Sequence, residues 1–201
     1  LLFFIGLCPV WGAPDPAIQD SIRQIARTHI EASRPKAAVD VLRSLEKQGL
    51  ADAQDFLLMG ETYLSFRDRG KAKRAYKKAI KHGAEADGYH GIGLIYDGMG
   101  AHGHLALVNF RRALGTDPGH AESQFQIAQI YRTLRPLDAE LAYRTTIDLD
   151  EKHPDAYFQL GKLLESKGRL FEAKAAYRRQ IDENPAHGFA SLNLGRQMYV
   201  E

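Results

Sequence analysis

The chain has 201 residues, 44% of them hydrophobic and 26% charged, with a formal charge of +2 and one cysteine. That composition is that of a folded chain and excludes a disordered or wholly membrane-embedded one. A charge so near zero also excludes diffuse basicity as a route to nucleic acid, so any electrostatic partner must be met by a local cluster.

The N-terminal segment 1–13, LLFFIGLCPVWGA, is apolar or small throughout and is followed by PDPA. An apolar run ending in small residues predicts the second half of an export signal, with Val10 and Gly12 at the small positions before a cut. A membrane anchor and a buried hydrophobic helix are the alternatives. Leu7 stands before Cys8, where a lipoprotein signal would carry Gly, Ala or Ser. A chain cut after Gly12 would hold no cysteine, and so no disulfide, thiol nucleophile or cysteine-ligated metal. The expectation is an exported protein, periplasmic or extracellular, or one held to the membrane by this segment.

From residue 19 onward one pattern repeats. The units are 19–52, 53–85, 86–120, 121–153 and 154–187, with a sixth beginning at 188 and stopping at 201. Each predicts two helices, A and B: an aromatic or apolar residue, an apolar-small pair, a turn, then Ala-x-x-x-aromatic. In YFQLGKLLESKGRLFEAKAAYRRQIDENP (157–185) and FLLMGETYLSFRDRGKAKRAYKKAIKHGA (56–84) the frame is plain. Register position 8 is Ala26, Gly60, Gly93, Ala128, Gly161 and Gly195; position 20 is Ala38, Ala72, Ala106, Ala139 and Ala173. Position 24 is Leu42, Tyr76, Phe110, Tyr143 and Tyr177, and position 7 runs from Ile25 and Met59 to Leu194. The third unit carries an extra residue in its A–B turn, and the fourth lacks one at Arg135-Pro136.

This frame resembles the tetratricopeptide repeat, whose period is about 34 residues. The resemblance implies an all-α, right-handed solenoid of antiparallel helix pairs. Small residues at 8 and 20 let the two helices close, large ones fill around that contact, and neighbouring pairs share a continuous core. It also implies that A-helix positions 5, 9 and 12 line a concave groove. Those positions hold Arg27, Leu57, Glu61, His90, Leu94, Phe125, Gln129, Arg132, Phe158, Lys162, Leu192 and Arg196. Leu57, Phe125, Phe158 and Leu192 predict an apolar ladder with a charged border, suited to a peptide or a partner's helix.

The chemical motifs are few. Gly98-x-Gly100-x-x-Gly103 has the spelling of a dinucleotide loop, but that loop needs a strand before it, and here a helix A precedes. His102 and His104 form an H-x-H without a third ligand in suitable spacing. His120, His153 and His187 recur at position 34 and are expected to be tolerated loop residues. No nucleophile–base pairing or metalloprotease motif occurs, so neither catalysis, cofactor nor metal is expected. Lys73, Arg74, Lys77, Lys78 and Lys81 lie on the outward face of one B helix and include like-charge i,i+4 pairs, which cost a little stability and suit an anionic partner. The expectation is a non-catalytic scaffold binding protein or peptide, without nucleic acid, in assembly of an envelope or secreted complex. Its alternative is a recruiting module of an enzyme whose catalytic domain lies past residue 201.

Overall fold

A computed structural model of the chain describes residues 16–100 and 102–198. The signal-like segment with Cys8, Ala101 in the third A–B turn, and the last three residues lie outside the described residues. Within them lie eleven helices and no strand: α1 (Pro16–Glu31), α2 (Pro35–Lys47), α3 (Ala53–Ser65), α4 (Arg69–Lys81), α5 (Glu85–Asp97), α6 (Gly103–Thr116), α7 (Ala121–Tyr131), α8 (Pro136–Leu149), α9 (Ala156–Ser166), α10 (Leu170–Glu183) and α11 (Gly188–Met198). Odd-numbered helices are the A members of each pair and even-numbered ones the B members. Each helix packs on the next, and α3 also touches α5, so the fold is an all-α solenoid. No helix among the described residues is long and apolar enough to cross a membrane.

Pairs close because one ring fills the place of a missing side chain. A Cβ on Gly60 would lie 2.6 Å from the Tyr76 ring, one on Gly93 2.5 Å from Phe110, and one on Gly161 2.6 Å from Tyr177. All three rings are buried, and burying a side chain of that size contributes about 1.5–3 kcal/mol. Tyr76 is gripped from its other side too, since a Cβ on Gly91 of the following A helix would lie closer to it still. One ring thus joins two A helices. In the first pair the register slackens: Ile25, expected in the core at position 7, is 48% exposed.

The A–B turns share one device. Ser33, Arg67, Gly100 and Gly168, all at register position 15, have φ of 56°, 64°, 64° and 73°. Around Arg67 the N–H bonds the Leu64 carbonyl and the Asp68 N–H bonds Tyr63, each at 2.9 Å; Gly168 and Arg169 repeat this on Glu165 and Leu164. These bonds satisfy the last carbonyls of helix A through a left-handed residue. The fourth unit, one residue shorter here, contains no such residue.

Turns between pairs are of two kinds. Gly49 and Gly83, with φ of 69° and 99°, turn the first two junctions. The later three leave helix B in extended backbone at Asp117, Asp150 and Asn184 and enter the next helix A beside a histidine.

Candidate protein-binding surfaces

The A helices of the first three units enclose a cavity of about 420 Å³, lined by Arg27, Leu57, Glu61, His90 and Leu94 among others. Five of the residues expected in the concave groove therefore meet in one place. Sequence reasoning missed Gln54 and Leu58 on α3, Asp87 and Gly91 on α5 and Tyr76 on α4, which line it as well. Gly91 matters because its missing side chain leaves the Tyr76 ring within reach of the hollow. The Glu61 carboxyl is raised above its ordinary range, first because the groove walls withhold water and next by the Asp87 charge, with Arg27 opposing. Burial holds the Tyr76 hydroxyl protonated, far above its usual range, and Glu61 adds to that. Burial, and then His120, lowers His90 to about 4, so it is neutral, and its Nδ1 lies 3.0 Å from Ser123 Oγ.

The border of this cavity is fixed by Arg23. Its guanidinium bonds Asp55 at 2.8 Å, Asp20 at 3.0 Å and also Asp52, and the bond to Asp55 is the chief reason it is held firmly charged. Asp55 is fully buried, and with Asp52 it forms a reciprocal cap on the first turn of α3.

Farther along, the ladder is not an open stripe. Phe125 and Phe158 are buried, at 7% and 8% exposure, because histidine rings cover them. His153 lies 4.4 Å from Phe125 and His187 4.7 Å from Phe158, centroid to centroid, and His120 lies 5.0 Å from His90. Each of these histidines, expected to be a tolerated loop residue, closes a junction. Its Nδ1 accepts a backbone N–H at the start of the next A helix, from Ser123 at 3.1 Å, Asp155 at 3.3 Å and Ala190 at 3.1 Å. Its Nε2–H donates back to a carboxylate opening the preceding A helix, at Asp87 (3.3 Å), Glu122 (3.1 Å) and Asp155 (3.0 Å). The bond from His153 is the main reason Glu122 lies low, at about 2. The sequence did carry a signal: an acid stands about one repeat before each histidine.

The remaining expected groove residues do not converge. Arg132 bonds Gln129 and Gln159 at 3.2 and 3.3 Å across two A helices. Lys162 is exposed beside the Phe158 ring, Arg196 pairs with Glu165 at 2.5 Å, and Leu192 is 67% exposed on α11.

On the opposite face the basic cluster is divided by its own helix. Arg74 and Lys78 turn toward α2, where Lys78 pairs with Glu46; Lys73, Lys77 and Lys81 turn toward α6. Leu134, Leu137, Leu141 and Phe171 also stand exposed around the starts of α8 and α10, and no sequence signal marked them. The glycines spelled like a nucleotide loop follow helix α5: Gly98 caps it and Gly100 turns the chain. His102 lies 6.4 Å from the Tyr96 ring and His104 is exposed. No group of three metal-ligating side chains occurs among the described residues.

Residues 154–187 match the tetratricopeptide repeat. No curated protein sequence matches the chain. Among solved structures, a thermophilic TPR protein of Thermus thermophilus is 19% identical, with a TM-score of 0.71 over 90% of this chain and 99% of that one. MamA of Desulfovibrio magneticus RS-1 is 16% identical, with a TM-score of 0.62 over 88% of this chain and 99% of its own. YrrB, described as a TPR protein with an unusual peptide-binding site, is 21% identical, with a TM-score of 0.57 over 89% and 95%. The solenoid is the one these proteins share.

Proposed function

We propose that this chain, an array of tetratricopeptide repeats and so a protein-interaction scaffold, takes an extended peptide in the concave cavity of its first three units. The observation that carries this reading is the convergence of Arg27, Leu57, Glu61, His90 and Leu94 on one hollow of about 420 Å³. Arg23 is engaged with its own aspartates, so Glu61 and Asp87 outweigh Arg27 in charge. A basic side chain fits there, its stem along Leu57 and Leu94 and its charge against the two carboxylates. The neutral His90 adds no repulsion. YrrB's peptide-binding site supports a peptide as ligand in this fold. The role is non-catalytic, since a hollow of this kind supplies contacts and no activated nucleophile.

A displayed random-peptide library tests the site. Selected peptides should share a Lys or Arg and lose at least about tenfold in affinity toward Glu61→Lys/Asp87→Asn, which leaves the hollow no carboxylate of the pair, a loss of about 1.4 kcal/mol. Peptides that bind this double variant as well as the parent chain would sink the reading. The apolar segment 1–13 supports a further part of the proposal, work outside the cytoplasm in assembling an envelope or secreted complex. A fusion of the N-terminal segment to a reporter active only after export checks it, and a silent reporter refutes it.

A further inference from the structure

The outer face offers a second hollow of different character. Between α4 and α6, above α5, lies a groove of about 520 Å³ whose floor includes Ile80, Ile92, Leu105 and Val108. Val108 is 44% exposed although it is apolar. Lys73, Lys77, Lys81 and Arg112 stand along its walls, and no carboxylate is among its lining residues. Two of these cations already rest on aromatic faces, Lys73 over Tyr96 at 4.8 Å and Arg112 over Tyr89 at 5.7 Å.

Helix α4 has seven Lys or Arg residues and no acid. Lys71 pairs with Asp68, Lys78 with Glu46, and Lys73 bonds the Tyr96 hydroxyl at 2.5 Å. Arg74, Lys77 and Lys81 make no ion pair among the described residues, although Lys77 and Lys81 repel each other one turn apart. The fold therefore holds concentrated positive charge beside apolar surface without neutralising it internally. A groove between two neighbouring helices suits a third helix whose ridge of side chains settles between them.

We infer that this groove docks an acidic amphipathic helix of a protein partner, its apolar ridge on Ile80, Ile92, Leu105 and Val108 and its carboxylates against Lys77, Lys81 and Arg112. A polyanion lacking apolar groups would leave the floor bare. A flat anionic membrane would meet the lysines but not the recessed residues beneath them. The site is separate from the concave cavity, so either can fail without the other.

The test uses the whole chain and a fluorescein-labelled helical peptide of Glu, Ala and Leu, with leucines at i, i+3 and i+7. Two relatives of the probe have Gln for every Glu or Ser for every Leu, and vesicles of phosphatidylglycerol and phosphatidylcholine form a fourth arm. Anisotropy should show binding of the Glu/Leu peptide, weakened about tenfold or more by Lys77→Glu/Lys81→Glu and by either relative. Val108→Ser should weaken it about threefold, the effect of roughly one buried methylene. Arg178→Glu/Arg179→Glu, equal in net charge change on exposed positions of α10, and Arg27→Glu/Glu61→Lys in the concave cavity should each change it less than about twofold. Circular dichroism matching the parent chain qualifies each variant. Equal losses from the two charge reversals would reduce the effect to net charge and overturn the proposal. So would undiminished binding of the Ser-for-Leu peptide. Vesicle binding lost with Lys77→Glu/Lys81→Glu, without peptide binding, would replace the partner helix by a membrane surface.

Discussion

The rings at register position 24 do the same packing but differ at their para positions. Phe110 has no hydroxyl, Tyr177 donates to Glu165 at 2.7 Å, and the buried Tyr143 hydroxyl has no partner among the described residues. Burial pushes Tyr143 up to about 12. Leaving a buried hydroxyl unpaired costs about 1–3 kcal/mol, partly offset by the packing of its oxygen. Tyr143→Phe should therefore be neutral or stabilise by up to about 1 kcal/mol, whereas Tyr177→Phe should cost about 1 kcal/mol. Urea midpoints at unchanged slope distinguish the two, and equal shifts would contradict this account. Arg67 offers a second contrast, because it holds at φ 64° the conformation that Gly100 and Gly168 adopt at the same register. The left-handed region costs a side-chain-bearing residue roughly 1–2 kcal/mol, and glycine loses part of that gain to unfolded-chain entropy. Arg67→Gly should raise stability by about 0.5 kcal/mol in the same assay. A loss instead would show that the arginine side chain contributes more than its backbone costs.

At the scale of the element, the junction histidines replace the short polar caps common at helix starts. His153→Ala removes a bond to the Asp155 N–H, a bond to Glu122 and the ring over Phe125. A lost cap alone costs about 1 kcal/mol, and the ring adds a similar amount, so about 2 kcal/mol is expected. His153→Asn should recover part of it if capping matters, and thermal unfolding of the three proteins measures the order. The helix pairs were legible in the sequence because close approach leaves no latitude: Gly60 beneath Tyr76 and Gly161 beneath Tyr177 cannot be replaced by size. The cavity was half legible. Leu57, Glu61 and Leu94 follow from helical register, but Tyr76 reaches it from a B helix only because Gly91, far along the chain, has no side chain. Phe125 and Phe158 were misplaced for a related reason. Register sets the face on which a ring stands, and cannot say whether a residue at the end of the same repeat folds over it. The histidines that do so were visible as a column, but their bonds to Asp87, Glu122 and Asp155 exist only once the units are stacked.

For the whole molecule, titration supplies the clearest expectation. His90 falls from 6.5 to about 4 in the fold, so acid protonates the unfolded chain first. Its contribution is complete above pH 6.5 and declines as pH falls toward 4. Glu122 lies at about 2 against an ordinary 4.5, through His153 above all. Glu140 also lies at about 2; burial alone would raise it, but bonds from Lys167, Arg169 and Arg144 outweigh that. Their contribution is present above 4.5 and is lost as pH falls toward 2. Melting temperature against pH should thus fall in two stages, and His90→Phe, matching Phe125 and Phe158 at the same register, should remove the upper one. An upper stage that survives this substitution would assign it to another group. One joint stands apart. Between α4 and α5, Gly88 and Gly91 receive Ile80 and Tyr76, Lys73 bonds the Tyr96 hydroxyl and Arg69 the Gly98 carbonyl, with no bond to a carboxylate or imidazole across the joint among the described residues. In mechanical terms the protein is a rod with joints of two materials. Three later joints hang on imidazole rings that bond across them, while this one is seated on glycine. Both hollows straddle the glycine-seated joint, so its stiffness holds the walls of each at a fixed spacing.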